Sequence, residues 1–301
     1  MDKVTLIITV KNEEKTLLPL LKAIEKQTRL PDEVVITDGG SSDNTVPLLK
    51  AWKPGFPVRV MERSGNRAVG RNAAISTATG SIIAITDAGC FPEPSWFRAV
   101  VEPIQKGSVD VVAGYYRANA KTPFEQAAAA YMLVMPEQVD GDHFLPATRS
   151  MALLKSAWKK VGGFPEEYRW NEDYVFARAL EDSGLRMGFR QDAVVVWSPP
   201  ESWKPFLVQI FRFAYGDVVS GIVRPKMLSI FGRYLAFIFI LILNTYAGIG
   251  IIILYLLWAW SKNAQYVPFP YNLFLLPTMQ VLSDIAVMSG SALGVFKRIT
   301  T

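Results

Sequence analysis

The sequence predicts an α/β fold: a mainly parallel sheet with helices on both faces, followed by a transmembrane helical hairpin. Three observations predict it. Short apolar runs alternate with helix-period segments from Val4 to about Tyr116, the pattern of strands joined by crossover helices. Two of these runs end on a carboxylate, EVVITD on Asp38 and SIIAITD on Asp87, as buried parallel strands do when their C-terminal tips present groups to a ligand. Finally, the 26 residues from Leu235 to Trp260 carry no charge. As a helix at ~1.5 Å per residue they span about 39 Å, against a ~30 Å hydrocarbon core.

The elements follow in order. VTLIIT (residues 4–9) reads as a first buried strand. VKNEE is the loop after it, and a helix over 15–27 places Leu17, Leu18, Leu20, Leu21 and Ile24 on one broad face. Pro31 breaks the chain before strand 33–38. Ser42 or Asp43 caps a helix running to about Trp52, and Pro54 and Pro57 frame the short strand VRVM. Residues 67–79 form a helix ended by Gly80, after which SIIAITDAGC supplies the fourth strand. A helix over 95–104 and a strand over 109–116 follow. Beyond residue 120 the order weakens: TPFEQAAAAYMLVM is a helix, QVDGDHFLPATRS a loop, SMALLK a strand with a short helix after it. Asn171 caps a helix from Glu172 to about Ser183 with both acids in its first turn. RMGFR and AVVVW close the domain as two short strands.

Three segments result: a catalytic-type domain over 1–200, interfacial helices over 201–233, and two membrane helices over about 235–260 and 271–296 within 234–301. The stretch 202–223 mixes Trp203, Phe206, Phe211 and Phe213 with Arg212, which suits an amphipathic helix on a membrane surface or one packed on the domain. Half of the 301 residues are hydrophobic, with the excess concentrated after residue 233. The net charge of +5 contains no Lys/Arg block of nucleic-acid type, so the basic balance points to a lipid bilayer and phosphorylated substrates, with no nucleic-acid partner. Arg224, Lys226 and Arg233 precede the hairpin, Lys297 and Arg298 follow it, and Lys262 lies in its loop. The positive-inside rule then puts the domain and the C-terminus in the cytoplasm. Cys90 is the only cysteine, which excludes an internal disulfide and suits a reducing compartment. The first strand begins almost at the N-terminus, and no secretory signal is expected.

The chemistry-bearing residues are carboxylates at strand tips and a helix start. Asp38, beside the loop GGSSDN, either receives hydrogen bonds from a ligand or caps its own loop. Glu13 is a pocket group or a first-turn helix charge. Arg71, in GRNAA, contacts a base or phosphate or is a surface charge. Asp173 is a general base or ordinary helix-start chemistry.

Taken together, TVKNEE, TDGGSSDNT, GRNAAISTATG, TDAGC and NEDYVFARAL, in this order and spacing over residues 3–215, resemble a family 2 glycosyltransferase of the GT-A fold. The resemblance implies an activated sugar donor, a nucleoside diphosphate sugar, and inversion at the anomeric carbon. It implies that Thr9, Val10, Glu13, Asp38, Arg71 and Asp87 line the donor site. Asp87 matches the first acid of the family's Asp-x-Asp pattern, which implies a divalent cation, Mg²⁺ or Mn²⁺, on the diphosphate. The second acid is replaced by Gly89, which weakens that ligation; His143, the only histidine, is a distant substitute. Asp173 matches the family's general base and Glu172 its neighbour, which orients base or acceptor. Arg149, in PATRS, falls in the family's acceptor region, and Gln209 to Phe213 resembles the Gln-x-x-Arg-Trp motif of polysaccharide synthases. The expected acceptor is lipid-linked or a glycan. Two other functions compete. A non-catalytic scaffold of the same fold rests on Gly89, and a nucleotidyltransferase needs a glycine-rich basic first loop that TVKNEE lacks.

Overall fold

The computed structural model describes residues 2–300. The chain divides into two compact units, one running through Arg117 and resuming over Met135–Ser198, the other comprising Ala118–Val134 and the chain from Pro199 on. Residues 118–134, expected within the domain of 1–200, therefore group with the C-terminal helices.

The first unit is built on one eight-stranded sheet in the order β3-β2-β1-β4-β7-β6-β8-β5. Its strands are β1 (Val4–Val10), β2 (Glu33–Asp38), β3 (Val58–Glu62), β4 (Ile82–Ile85), β5 (Cys90–Pro92), β6 (Val111–Ala118), β7 (Met151–Leu154) and β8 (Met187–Trp197). β1, β2, β3 and β4 pair in parallel. β7 joins β4 antiparallel, β6 joins β7 antiparallel and β5 joins β8 antiparallel. The sheet is thus mixed, parallel in the half that carries Asp38 and Asp87. The two short strands expected at RMGFR and AVVVW are one 11-residue strand, β8; its middle, Gln191 and Asp192, is exposed and breaks the apolar pattern without breaking the backbone.

Strand residues alternate between two cores, as the period of 2 requires. Leu6, Ile8, Val34, Ile36, Ile82 and Ala84 enter one core with Leu17, Leu20, Leu21 and Ile24 of α1 (Glu14–Glu25) and Trp96, Phe97, Val100 and Val101 of α4 (Trp96–Gln105). Ile7, Val35, Ile83 and Ile85 enter the other with Ala68, Ala74 and Ile75 of α3 (Arg67–Thr77) and Phe176 and Leu180 of α7 (Glu172–Asp182). Both faces being covered is why these strands read as unbroken apolar runs. Between them, α2 (Thr45–Ala51) follows β2. Asn66 caps α3 by accepting from Val69 N at 3.1 Å, and Gly70 lets α3 approach β1 and β2, since a Cβ there would lie 3.1 Å from both Thr9 Cγ2 and Thr37 Oγ1.

The second unit contains α5 (Pro123–Met132), α8 (Trp203–Val219), α9 (Pro225–Leu243), α10 (Thr245–Asn263) and α11 (Tyr271–Thr300); α6 (Lys155–Lys160) belongs to the first. Thr122 and Glu125 form a reciprocal capping box on α5. The expected single helix over 235–260 is two helices. Asn244 ends α9 and its side chain accepts from Ala247 N at 3.0 Å, so an N-cap restarts the helix where the hydropathy signal shows no break. α9, Thr245–Tyr266 and α11 are each long and apolar enough to cross a membrane. Leu235, Ile242, Tyr246 and Leu254 are exposed. Asp284 instead lies buried among Arg233, Tyr234, Tyr255 and Gln280, with Arg233 Nη2 donating to it at 2.7 Å. Apolar outside and charged inside is the arrangement lipid favours.

Candidate active site

At the parallel edge the strands deliver their tips side by side. β2 ends at Asp38, β1 at Val10, and β4 at Ile85, two residues before Asp87. Two inter-strand steps of ~4.8 Å separate the outer tips by about 10 Å.

The first two loops are laced together. Ser42 N donates to Asn12 Oδ1 and Asn12 N to Ser41 Oγ, each at 2.8 Å. Asp38, 1% exposed, accepts from Gly40 N and Ser41 N at 2.9 Å and from Ser41 Oγ at 2.5 Å. Both of its oxygens serve its own loop, the arrangement of an Asx turn. Glu13 accepts from Thr16 Oγ1, while its N donates to Thr45 Oγ1 at 2.7 Å. Val10 is 4% exposed with its side chain in the core, so that position can face a pocket only through its backbone; Thr9 is half-buried beside Gly70.

Arg71 organises the rest. It lies on α3, is 1% exposed, and donates from Nη1 to Glu172 Oε1 at 2.7 Å and from Nη2 to Asp87 Oδ1 at 2.8 Å and Thr148 Oγ1 at 2.9 Å. Thr148 Oγ1 in turn donates to Asp87 Oδ2 at 2.9 Å. The expectation that Arg71 reaches a base or phosphate is corrected: with both terminal nitrogens taken and the side chain enclosed, it ties the β4 loop to the start of α7. Burial works to raise the Asp87 carboxyl, but the guanidinium of Arg71, with Arg67 and Arg149 farther off, outweighs it and holds Asp87 below the usual carboxylate range. Burial pushes the Glu172 carboxyl upward against the pull of Arg71. Glu172 is 3% exposed; it faces inward and is placed to orient α7 rather than to meet an acceptor.

Asp173 is the half-buried neighbour on the same first turn. Asn171, at φ 64°, takes the left-handed conformation that turns the chain into α7. Asp173 adjoins Glu172, the acid that shares Arg71 with Asp87, and its charge acts on both Arg71 and Arg149. Arg149 lies in an aromatic clamp, its Cζ 5.2 Å from the Tyr116 ring centroid and 4.8 Å from that of Trp197. Thr86 Oγ1 donates to its carbonyl at 2.9 Å. Sequence reasoning missed Tyr116, Thr148 and Trp197: Thr148 adjoins Arg149 in PATRS but gave no sign of its own role, the other two lie in no motif, and only the sheet that holds β6, β7 and β8 gathers them.

The chain supplies few ligands for a cation. Asp87 offers one carboxylate with a bond on each oxygen, and Gly89, at φ +81°, has open space where a side chain would project. His143 is exposed and paired with the exposed Asp140 at 2.8 Å, and no group of three His, Cys, Asp or Glu that could hold a metal occurs among the described residues. These residues do not form a resident metal centre. Gln209 and Arg212 lie on α8 in the second unit, half-buried and exposed respectively.

Residues 5–159 match the family model for glycosyl transferase family 2. The chain belongs to that family. It is 24% identical to the glycosyltransferase AglE of Haloferax volcanii over 71% of this chain and 73% of that protein. It is 26% identical to the succinoglycan biosynthesis protein ExoA of Rhizobium meliloti over 70% of this chain and 68% of that one. Among solved structures, the mannosyltransferase PcManGT of Pyrobaculum calidifontis, solved with GDP-mannose and Mn²⁺, superimposes with a TM-score of 0.69 over 97% of this chain and 87% of that one at 19% identity. The expected family, GT-A fold and enzyme class hold, and the family match sets aside the nucleotidyltransferase reading.

Proposed function

We propose that this glycosyltransferase moves a sugar from a nucleoside diphosphate sugar to the hydroxyl of a lipid-linked or polysaccharide acceptor, with inversion. The observation that carries the reading is that Arg71 bonds both Asp87, just beyond the C-terminal tip of β4, and Glu172, the residue before Asp173, at the edge of the parallel strands where α/β folds bind ligands. Asp173 is the general base: its carboxylate takes the acceptor proton as the acceptor oxygen forms its bond to the anomeric carbon. The bond from that carbon to the diphosphate breaks, and its electron pair leaves on the β-phosphate. Arg71 and Glu172 are positioning residues that fix Asp87 and the start of α7. The laced loops after β1 and β2, with Thr9, Val10 backbone, Glu13 and Asp38, form the nucleoside side of the site. A divalent cation brought by the donor, Mg²⁺ or Mn²⁺, would supply Lewis-acid chemistry to the diphosphate, and Asp87 is the one carboxylate here that could meet it, against the opposing charge of Arg71.

The polysaccharide side of the acceptor reading draws on the relative named for succinoglycan biosynthesis; the lipid side draws on the three apolar helices. Gln209 and Arg212, on the interfacial α8, are the acceptor-side candidates. α9 and α10 make the inserted hairpin, with Gly248 against Leu241 and the Phe237 ring 5.4 Å from that of Tyr255. Lys226 acts on Lys262 across its open end, and with Arg224 these charges favour a cytoplasmic side. α11 stays on that side, since 39% of its apolar window is buried in the protein against 6% for α9.

The test is release of UDP, GDP or dTDP from a panel of nucleotide sugars by full-length protein in membranes, with lipid extract as acceptor. One donor should turn over. Asp173→Asn should lower transfer by about 10²–10⁴-fold, the usual contribution of a positioned base, with donor binding unchanged. Transfer that survives Asp173→Asn would mean that the acceptor needs no base, as a phosphate does not.

A further inference from the structure

Resting on this reading of the donor, we propose that Arg149, rather than a protein-held cation, neutralises the departing diphosphate. Its guanidinium is half-buried between the faces of Tyr116 and Trp197, and among the described residues it is in none of the salt bridges: Asp87 is bonded by Arg71, and Asp173 acts on Arg149 only through its field. A partly desolvated cation without a bonded counter-charge is costly, and two π faces offset part of that cost without neutralising it. The remaining hydrogen-bond capacity of the fork suits an anion with several oxygens.

The placement is rigid. Arg149 is held through its carbonyl by Thr86, next to Asp87, and the following Ser150 accepts from Trp96 Nε1 at 2.8 Å and donates to the Ala193 carbonyl at 3.0 Å. Both residues are buried, so the backbone of Arg149 is pinned to β8 and α4. A second guanidinium, the exposed Arg67 at the start of α3, also acts on Asp87. Asp87 thus sits among three guanidinium fields, which disfavour a dication beside it. Meanwhile Gly89 removes the side chain that would have helped to hold one. The negative charge that develops on the β-phosphate as the glycosidic bond breaks needs a fixed positive partner in a site of low dielectric, and Arg149 is the side chain built to be one.

Titration calorimetry of the full-length protein in detergent tests this, with UDP, GDP and dTDP and the matching monophosphates, in EDTA and then in Mn²⁺. Wild type should bind one diphosphate with an affinity that changes less than about threefold between EDTA and Mn²⁺. Arg149→Ala should weaken that diphosphate by about 10–100-fold, the range for lost charge-assisted hydrogen bonds, in both conditions. The monophosphate should change less than about threefold, which separates a local loss from damage to the fold. Arg149→Lys should restore little, because it keeps the charge and loses the fork and the stack. Binding by Arg149→Ala equal to wild type, or equal weakening of mono- and diphosphate, overturns the assignment. So does wild-type binding that vanishes in EDTA and returns with Mn²⁺. If wild type binds no diphosphate in either condition, the nucleotide-sugar reading falls and this one with it.

Discussion

Replacing Arg71 by Met removes the one group that neutralises the buried end of the site while keeping a similar side-chain volume. Glu172, at 3% side-chain exposure, would lose its one ion-pair partner among the described residues, and Asp87, at 27%, would keep Thr148 and some solvent. Stranding one partner of a buried pair costs ~3–5 kcal/mol; Glu172 should account for most of it. For a unit of this size ~1 kcal/mol shifts the melting temperature by about 2–4 °C, so Arg71→Met should melt roughly 6–20 °C below wild type by scanning calorimetry in detergent. The double variant Arg71→Met, Glu172→Gln should recover more than half of that loss, because a neutral amide leaves no bare charge. The pH dependence has a definite sign. Without Arg71, burial acts on Glu172 unopposed and raises its carboxyl further above the unfolded value, so the protonated form is favoured in the folded state. The deficit of Arg71→Met relative to wild type should therefore shrink as pH falls toward the ordinary carboxylate range and be largest above it. A loss below about 1 kcal/mol, well under the stranded-charge range, or no rescue by Glu172→Gln, would refute the claim that Arg71 is held by charge pairing.

Three further outcomes are expected. Gly114→Ala would place a Cβ 2.0 Å from Ser150 Oγ and 2.7 Å from the Ala193 carbonyl; overpacking against backbone should cost ~1–3 kcal/mol, measurable as a lowered melting temperature, and an unchanged one would mean that β6 and β8 can separate there. Burial pushes the Cys90 thiol up to about 12, so iodoacetamide labelling at pH 8 should follow the unfolding transition in urea; rapid labelling of the folded protein would show that the start of β5 opens. Reporters fused after Thr301 and within the loop after α8 should both read cytoplasmic; an outward signal at Thr301 would mean that α9, α10 and α11 all cross.

Much of the first unit was legible in the chain. β1, β2 and β4 are short apolar runs ended by polar residues, and their fully buried alternation into two cores is why each run could be found without a partner in view. The C-terminal tail was legible as apolar length, because hydropathy depends on composition alone. Its division was not: Asn244 lies inside the uncharged stretch, and whether it caps a new helix depends on the backbone turning there. The role of Arg71 was equally out of reach. A guanidinium on the face of α3 is a surface charge until α7 and the β4 loop close over it, and the carboxylates it binds come 16 and 101 residues later. Sequence by itself determined which residues carry charge and where β1, β2 and β4 lie. Tertiary structure decided which charges are buried against one another and which, like Arg149 between two rings, are in no salt bridge among the described residues. Burial sets the strength of a charge's interactions, and burial is a property of neighbours that the chain order does not contain.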